Sequence, residues 1–182
     1  MINKLTLQSI INKYYLGENE SVKWNIKDNT LTINFMSPNK EVIGELVHEN
    51  FDLEDSELAV YETKKLLNLL NITTGDVLLE LEKTHKVYTK LSISDQDFNL
   101  SYALADLLLI DKVGTVSEPS WDVNINLEKE HVSNLVKAKS ALSEVDNMII
   151  TTELDANKEL MCKFTFGDEH GHNNKITYQL YG

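Results

Sequence analysis

Apolar and polar residues alternate at every second position through most of this 182-residue chain, and that period limits its fold more than any other feature. Ser21–Lys27 reads SVKWNIK, residues 30–35 read TLTINF, and the turn pair Asp28-Asn29 lies between them. Such alternation suits a strand with one buried and one wet face, and two runs joined by an Asx pair predict a hairpin. A second hairpin is predicted from residues 76–82 and 86–94 around Lys83-Thr84-His85. A third comes from residues 148–154 and 159–166 around Asp155-Ala156-Asn157. Residues 41–47, 97–105 and 175–181 read as further strands.

Three stretches break the period. Leu7, Ile10, Ile11 and Tyr14 fall at i, i+3, i+4 and i+7, with Gly17 placed to stop a helix. Residues 63–70 carry Leu66, Leu67, Leu69 and Leu70, with Asn71 as the terminal residue. Val132, Leu135, Val136 and Leu142 mark one face of the third, with Asn126 as its N-cap candidate and Glu128 and Glu130 at its positive end. Each predicted helix follows a short strand and precedes a hairpin, so the order strand, helix, hairpin occurs three times. Residues 106–122 contain Gly114 and Pro119 and fit neither period. The expected organisation is α+β: an N-terminal domain over 1–106, a linker over 107–122 and a C-terminal domain over 123–182, with helices on one face of antiparallel sheets.

Charge narrows the function. The chain carries 29 acids against 17 Lys and Arg, a net charge of −12. Taken alone, that balance argues against nucleic acid and anionic membranes. Its distribution argues otherwise. The helix bodies at 8–16, 63–70 and 131–142 hold Lys13, Lys64, Lys65, Lys137 and Lys139 and no acid. The chain's mean acid frequency would put about four or five acids there. One positive helical surface on a negative protein suits a phosphate backbone, with lysine adequate where no base is read. The plainer reading is of amphipathic helices with lysine on their wet faces, but that bias must then arise three times.

Several segments in order carry a family resemblance. They are Leu58-Ala-Val-Tyr-Glu-Thr-Lys-Lys-Leu-Leu-Asn-Leu-Leu70, Val123-Asn-Ile-Asn-Leu127 through Met148-Ile-Ile-Thr151, and Phe164-Thr-Phe-Gly-Asp168. Together they resemble the DNA sliding clamps of T-even-type bacteriophages. The resemblance implies the DNA-clamp fold, a non-catalytic processivity factor, and a homotrimeric ring around duplex DNA. It also implies a replicative polymerase and a clamp loader as partners, with Lys13, Lys64, Lys65, Lys137 and Lys139 facing the DNA. Clamps of this architecture bind apolar peptides near the interdomain linker, which nominates Leu107, Leu109, Val113 and Trp121; packing of the two domains against each other is the competing role for them. The family's subunits should hold four strand–helix–hairpin units, and three are countable here. The chain is then expected to be a truncated product or a naturally reduced clamp.

Other chemistry finds little support. Residues 168–174 (DEHGHNN) cluster two histidines with two acids, but the spacing matches no standard zinc site, and a solvated hairpin loop is expected. His48, His85 and His131 are scattered, and Cys162 sits in an alternating strand as a core residue. There is no phosphate loop, nucleophile elbow or paired-carboxylate motif, so no enzyme activity, metal or cofactor is expected. One cysteine permits no internal disulfide, which fits a reducing cytoplasmic setting (the host's, if the protein is viral). The alternative function is an acidic α+β interaction module that never touches DNA.

Overall fold

The computed structural model describes residues 1–114, 120–167 and 174–181. The chain forms two compact units, residues 1–117 and 118–182.

Unit 1 contains β1 (Ile2–Asn3), α1 (Lys4–Tyr15), β2 (Ser21–Lys27), β3 (Thr30–Met36), β4 (Ile43–Glu49), β5 (Ser56–Tyr61), α2 (Thr63–Ile72), β6 (Asp76–Thr84), β7 (Val87–Ser94) and β8 (Asn99–Ala103). The strands make two antiparallel sheets, ordered β4-β3-β2-β5 and β1-β6-β7-β8. The unit is thus two similar halves, each a short strand, a helix and three strands, and the halves exchange their leading strands. β1 leads the first half but pairs with β6. β5 leads the second half but pairs with β2 over its whole length, from Ser21↔Tyr61 to Ile26↔Ser56.

Both helices turn apolar sides inward. Leu7, Ile10, Ile11 and Tyr14 of α1 and Leu66 and Leu70 of α2 are buried against Trp24, Ile33, Leu58 and Ile93 from the sheets. Each such side chain contributes about 1.5–3 kcal/mol relative to exposure. Trp24 meets Phe51 edge to face, with ring centroids 5.9 Å apart.

The β2–β3 hairpin closes at Asp28 and Asn29, both at positive φ (50° and 57°), a two-residue turn whose twist matches the strands. The second hairpin turns at His85-Lys86, one residue later than its sequence suggests. A register shift between Glu82 and Lys83 lets β6 run on to Thr84, and the irregularity hides the extension from a period-two reading. β4 begins at Ile43 and not 41, because the Ser37 backbone N–H donates to the Val42 carbonyl (2.8 Å) and its hydroxyl accepts from the Val42 N–H (2.9 Å). β8 covers 99–103 and not 97–105, because Asp95 accepts the N–H groups of Asp97 and Phe98 and holds its start as a turn. α1 starts four residues before 8, capped by the Asn3 side chain on the Leu5 N–H. α2 runs past Asn71 to Ile72, with Thr73 as its cap.

Unit 2 holds α3 (Lys129–Ala141), β9 (Met148–Leu154), β10 (Leu160–Phe166) and β11 (Ile176–Tyr181), its sheet ordered β11-β10-β9. Asn126 is not the N-cap of α3; Glu128 stands there and makes no side-chain cap bond. The strand expected before this helix is also absent among the described residues, and 123–127 is irregular. α3 buries no residue of its own. It meets the sheet through His131, whose Nδ1 lies 2.9 Å from the Tyr178 hydroxyl. Cys162 is buried in β10, and burial pushes its thiol pKa up.

Candidate nucleic-acid interface

In unit 1 the two helices lie antiparallel. Gln8 near the start of α1 donates to Asn71 near the end of α2 (2.9 Å), and Lys4 reaches the carbonyls of Asn71 and Thr73. At the other end, Glu20 just after α1 meets the start of α2. Its carbonyl accepts from the Thr63 N–H (3.0 Å) and its carboxylate from the Lys64 N–H (3.0 Å). Glu62 offers α2 no side-chain cap, so a residue 44 positions from Lys64 supplies one.

With their apolar sides buried, the helices expose Ser9, Asn12 and Lys13 on α1 and Lys64, Lys65, Asn68 and Asn71 on α2. Leu5, Gln8, Ser9, Asn12 and Lys13 line a shallow depression. Lys64 and Asn71, seven residues apart, share the side of α2 that meets α1, while Lys65 leaves from the opposite flank. Lys13, five residues on from Gln8, leaves α1 on the flank away from α2. The lysines therefore border a strip of uncharged amides and hydroxyls; they do not form one tight cluster. In unit 2, Lys137 is exposed, and Lys139 is half-buried with its ammonium on the Ser143 carbonyl (3.0 Å).

The cations divide by element. On or beside the strands, Lys23 pairs with Glu57 (2.8 Å), Lys83 with Glu54 (3.2 Å), Lys90 with Glu82 (3.3 Å) and Lys163 with Glu153. On the helices, among the described residues, only Lys65 has an acidic partner, Glu62 one turn back (2.8 Å). Among the described residues, Lys13, Lys64, Lys137 and Lys139 form no ion pair. Exposed pairs add only about 0–1 kcal/mol to stability, but they cancel charge where they form. Lys27 of β2 also has no ion pair among the described residues, so what sets the helices apart is composition: α1, α2 and α3 hold seven lysines against one acid, Glu130. Such cations can take phosphates and release counterions, while the neighbouring amides and hydroxyls add neutral donors.

The residues nominated for a peptide groove separate. Leu107 and Val113 line an open groove of about 1170 Å³ between the 107–114 segment and the outer face of the β4-β3-β2-β5 sheet. Ile43 and Ile110 extend its apolar lining, and Asn25 and Asn34 lie among its polar residues. Leu109 stays outside and exposed, and Trp121 belongs to unit 2. The sheet residues of this groove went unnoticed in the sequence because outward positions of alternating strands look merely solvated. The amides flanking the lysines were equally silent, since an exposed Asn carries no pattern.

His170 and His172, in the segment expected to be a solvated hairpin loop, lie outside the described residues. Among the described residues no group of three or more His, Cys, Asp or Glu is arranged to hold a metal ion, and no helix is long and apolar enough to cross a membrane.

No family model and no curated protein matches the sequence. Solved structures do. The chain is similar to PCNA from Thermococcus kodakaraensis at 15% identity and a TM-score of 0.64, over 98% of this chain and 70% of that one. It is similar to the DNA polymerase sliding clamp of Caulobacter crescentus at 10% identity and a TM-score of 0.60, over 100% of this chain and 50% of that one. It is similar to the Helicobacter pylori beta clamp, bound there to a DNA ligase peptide, at 11% identity and a TM-score of 0.55, over 99% of this chain and 55% of that one. The chain thus spans about half the length of these bacterial clamps. Antiparallel sheets with α-helices, matched over 98–100% of the chain by these structures, define the fold as the α+β DNA-clamp fold.

Proposed function

We propose that the chain is a clamp-like processivity factor, a non-catalytic scaffold that holds duplex DNA through its phosphates and tethers a replicative polymerase. The observation that carries this is the distribution of charge on a clamp fold: the helices hold seven lysines against one acid, Glu130, and among the described residues Lys13, Lys64 and Lys137 have no acidic partner. Phosphate contacts position a protein without reading sequence, which is what sliding requires. Acid-bearing sheets turn the rest of the surface away from the polyanion.

The finer assignments rest on the resemblance set out above. They are a T-even-type phage clamp working in the host cytoplasm and a clamp loader as second partner; the domain bounds at 1–106 and 123–182, joined by 107–122, rest instead on the break in period around Gly114 and Pro119. The resemblance implies three subunits per ring. The coarser reading that the clamp neighbours support is oligomerisation in general. The groove beside Leu107 and Val113 is the proposed seat for an apolar partner peptide, in line with the ligase peptide on the Helicobacter pylori neighbour.

Charge reversal tests the interface. Lys13→Glu, Lys64→Glu and Lys137→Glu together should leave folding intact, because all three side chains are exposed and unpaired, and should abolish stimulation of the polymerase on long templates. Unchanged stimulation would remove these lysines from the DNA-facing set. The net charge of −12 favours a second reading, an interaction module that never binds DNA. That reading predicts no retention of any DNA at low salt.

A further inference from the structure

The solvent side of the unit 1 helix pair is lined by neutral polar groups. The core takes Leu7, Ile10, Ile11 and Tyr14 from α1 and Leu66 and Leu70 from α2. At about 100° per residue, Ser9 and Asn12 then stand on the crest of α1 and Asn68 on the crest of α2. All three are exposed. Between the crests, Gln8 Nε2 donates to Asn71 Oδ1 (2.9 Å) and ties the helices together. Lys13 and Lys65 leave on the outer flanks, and Lys64 stands at the end of α2 that Glu20 caps. Lys4 is committed elsewhere, its ammonium bonded to the carbonyls of Asn71 and Thr73 at the other end of α2.

The crest differs from an ordinary wet face in two ways. Asparagine is a poorer helix former than lysine, glutamate or glutamine, because its amide competes for the backbone. Yet Asn12 lies inside α1 and Asn68 inside α2, and neither caps its helix. The two amides also have no task within the fold: among the described residues, neither side chain makes a hydrogen bond.

We propose, resting on the reading of the chain as a DNA-holding clamp, that Asn12 and Asn68, with Ser9 beside Asn12, donate neutral hydrogen bonds to phosphate oxygens of the duplex. An amide NH2 carries two donors and no charge. A lysine contact releases counterions, so its contribution fades as salt rises. A neutral donor cancels no phosphate charge, and its contribution persists. The flanking lysines then draw the duplex in, while the crest keeps a salt-independent part of the affinity. Such contacts suit sliding, since each is individually weak and reads no base.

Asn12→Ala with Asn68→Ala tests this. Alanine is the better helix former at both exposed positions, so the helices are kept. The affinity of the 182-residue chain for a linear duplex is measured across a salt series. The parent is compared with the alanine pair, with Asn12→Gln and Asn68→Gln together, and with Lys13→Glu and Lys64→Glu together. The alanine pair should bind at least about fivefold more weakly at every salt concentration, with the log–log slope of the parent. The glutamine pair keeps the amides and should recover most of that loss. The lysine pair should flatten the slope. An alanine pair that binds as well as the parent, an alanine pair that flattens the slope, or a glutamine pair as weak as the alanine pair would each overturn the proposal and leave the clamp reading standing. A parent that binds no duplex at low salt would overturn both.

Discussion

Glu20 joins the two halves of unit 1 at one point. Its carbonyl and carboxylate satisfy two of the N–H groups that the start of α2 leaves open, and Tyr15 donates to the same carboxylate. Glu20→Ala should lower stability by about 1 kcal/mol, the usual loss for a helix cap, read as a shifted urea midpoint. Gly44 lies opposite Phe35, and an added Cβ would sit 2.5 Å from the ring. Gly44→Ala should cost about 1–3 kcal/mol by overpacking. Tyr14 and Tyr102 make stability depend on alkaline pH. Burial raises both phenols well above their ordinary 10.0, and Tyr102 also donates to the Tyr61 carbonyl. A raised pKa means the neutral form is the one the fold accommodates, so its contribution is complete below pH 10.0 and is lost as pH climbs toward the folded value. Both tyrosines should ionise only together with loss of the circular dichroism signal; ionisation near pH 10 with the fold intact would contradict this.

Secondary structure was legible wherever one period held. The β2–β3 hairpin announces itself by alternation around Asp28-Asn29, and α1 by Leu7, Ile10, Ile11 and Tyr14. Where tertiary partners decide, the sequence was silent. The β6 extension depends on an irregularity, the cap of α2 comes from a residue far along the chain, and 123–127 has the pattern of a strand without a neighbour to pair with. The lysine bias was readable because it is a count along helices; the missing counter-charges beside Lys13, Lys64 and Lys137 were not, because pairing is set by neighbouring strands and loops. If the helices meet phosphates, DNA retention should fall with salt, and reversing these three lysines should flatten the log–log salt slope by about 0.9 per lost contact. An unchanged slope would place the DNA elsewhere. Val113→Glu should weaken capture of an apolar polymerase peptide by at least tenfold without changing that slope, since the groove lies on the outer sheet face.

At the scale of the molecule, a net charge of −12 and a clamp fold are compatible once charge is sorted by element. The helices hold seven lysines against one acid, so under the proposed function a protein acidic on average can still hold a polyanion loosely. Loose holding retains a protein on DNA only if the assembly encloses the duplex, and this topological claim separates a clamp from an ordinary basic patch. The direct measurement is retention on a closed circular duplex, loaded by whatever opens the assembly, before and after one cut linearises the circle. Enclosure predicts stable retention on the circle at moderate salt and rapid loss after the cut. Equal retention on both forms, or none on either, would contradict it.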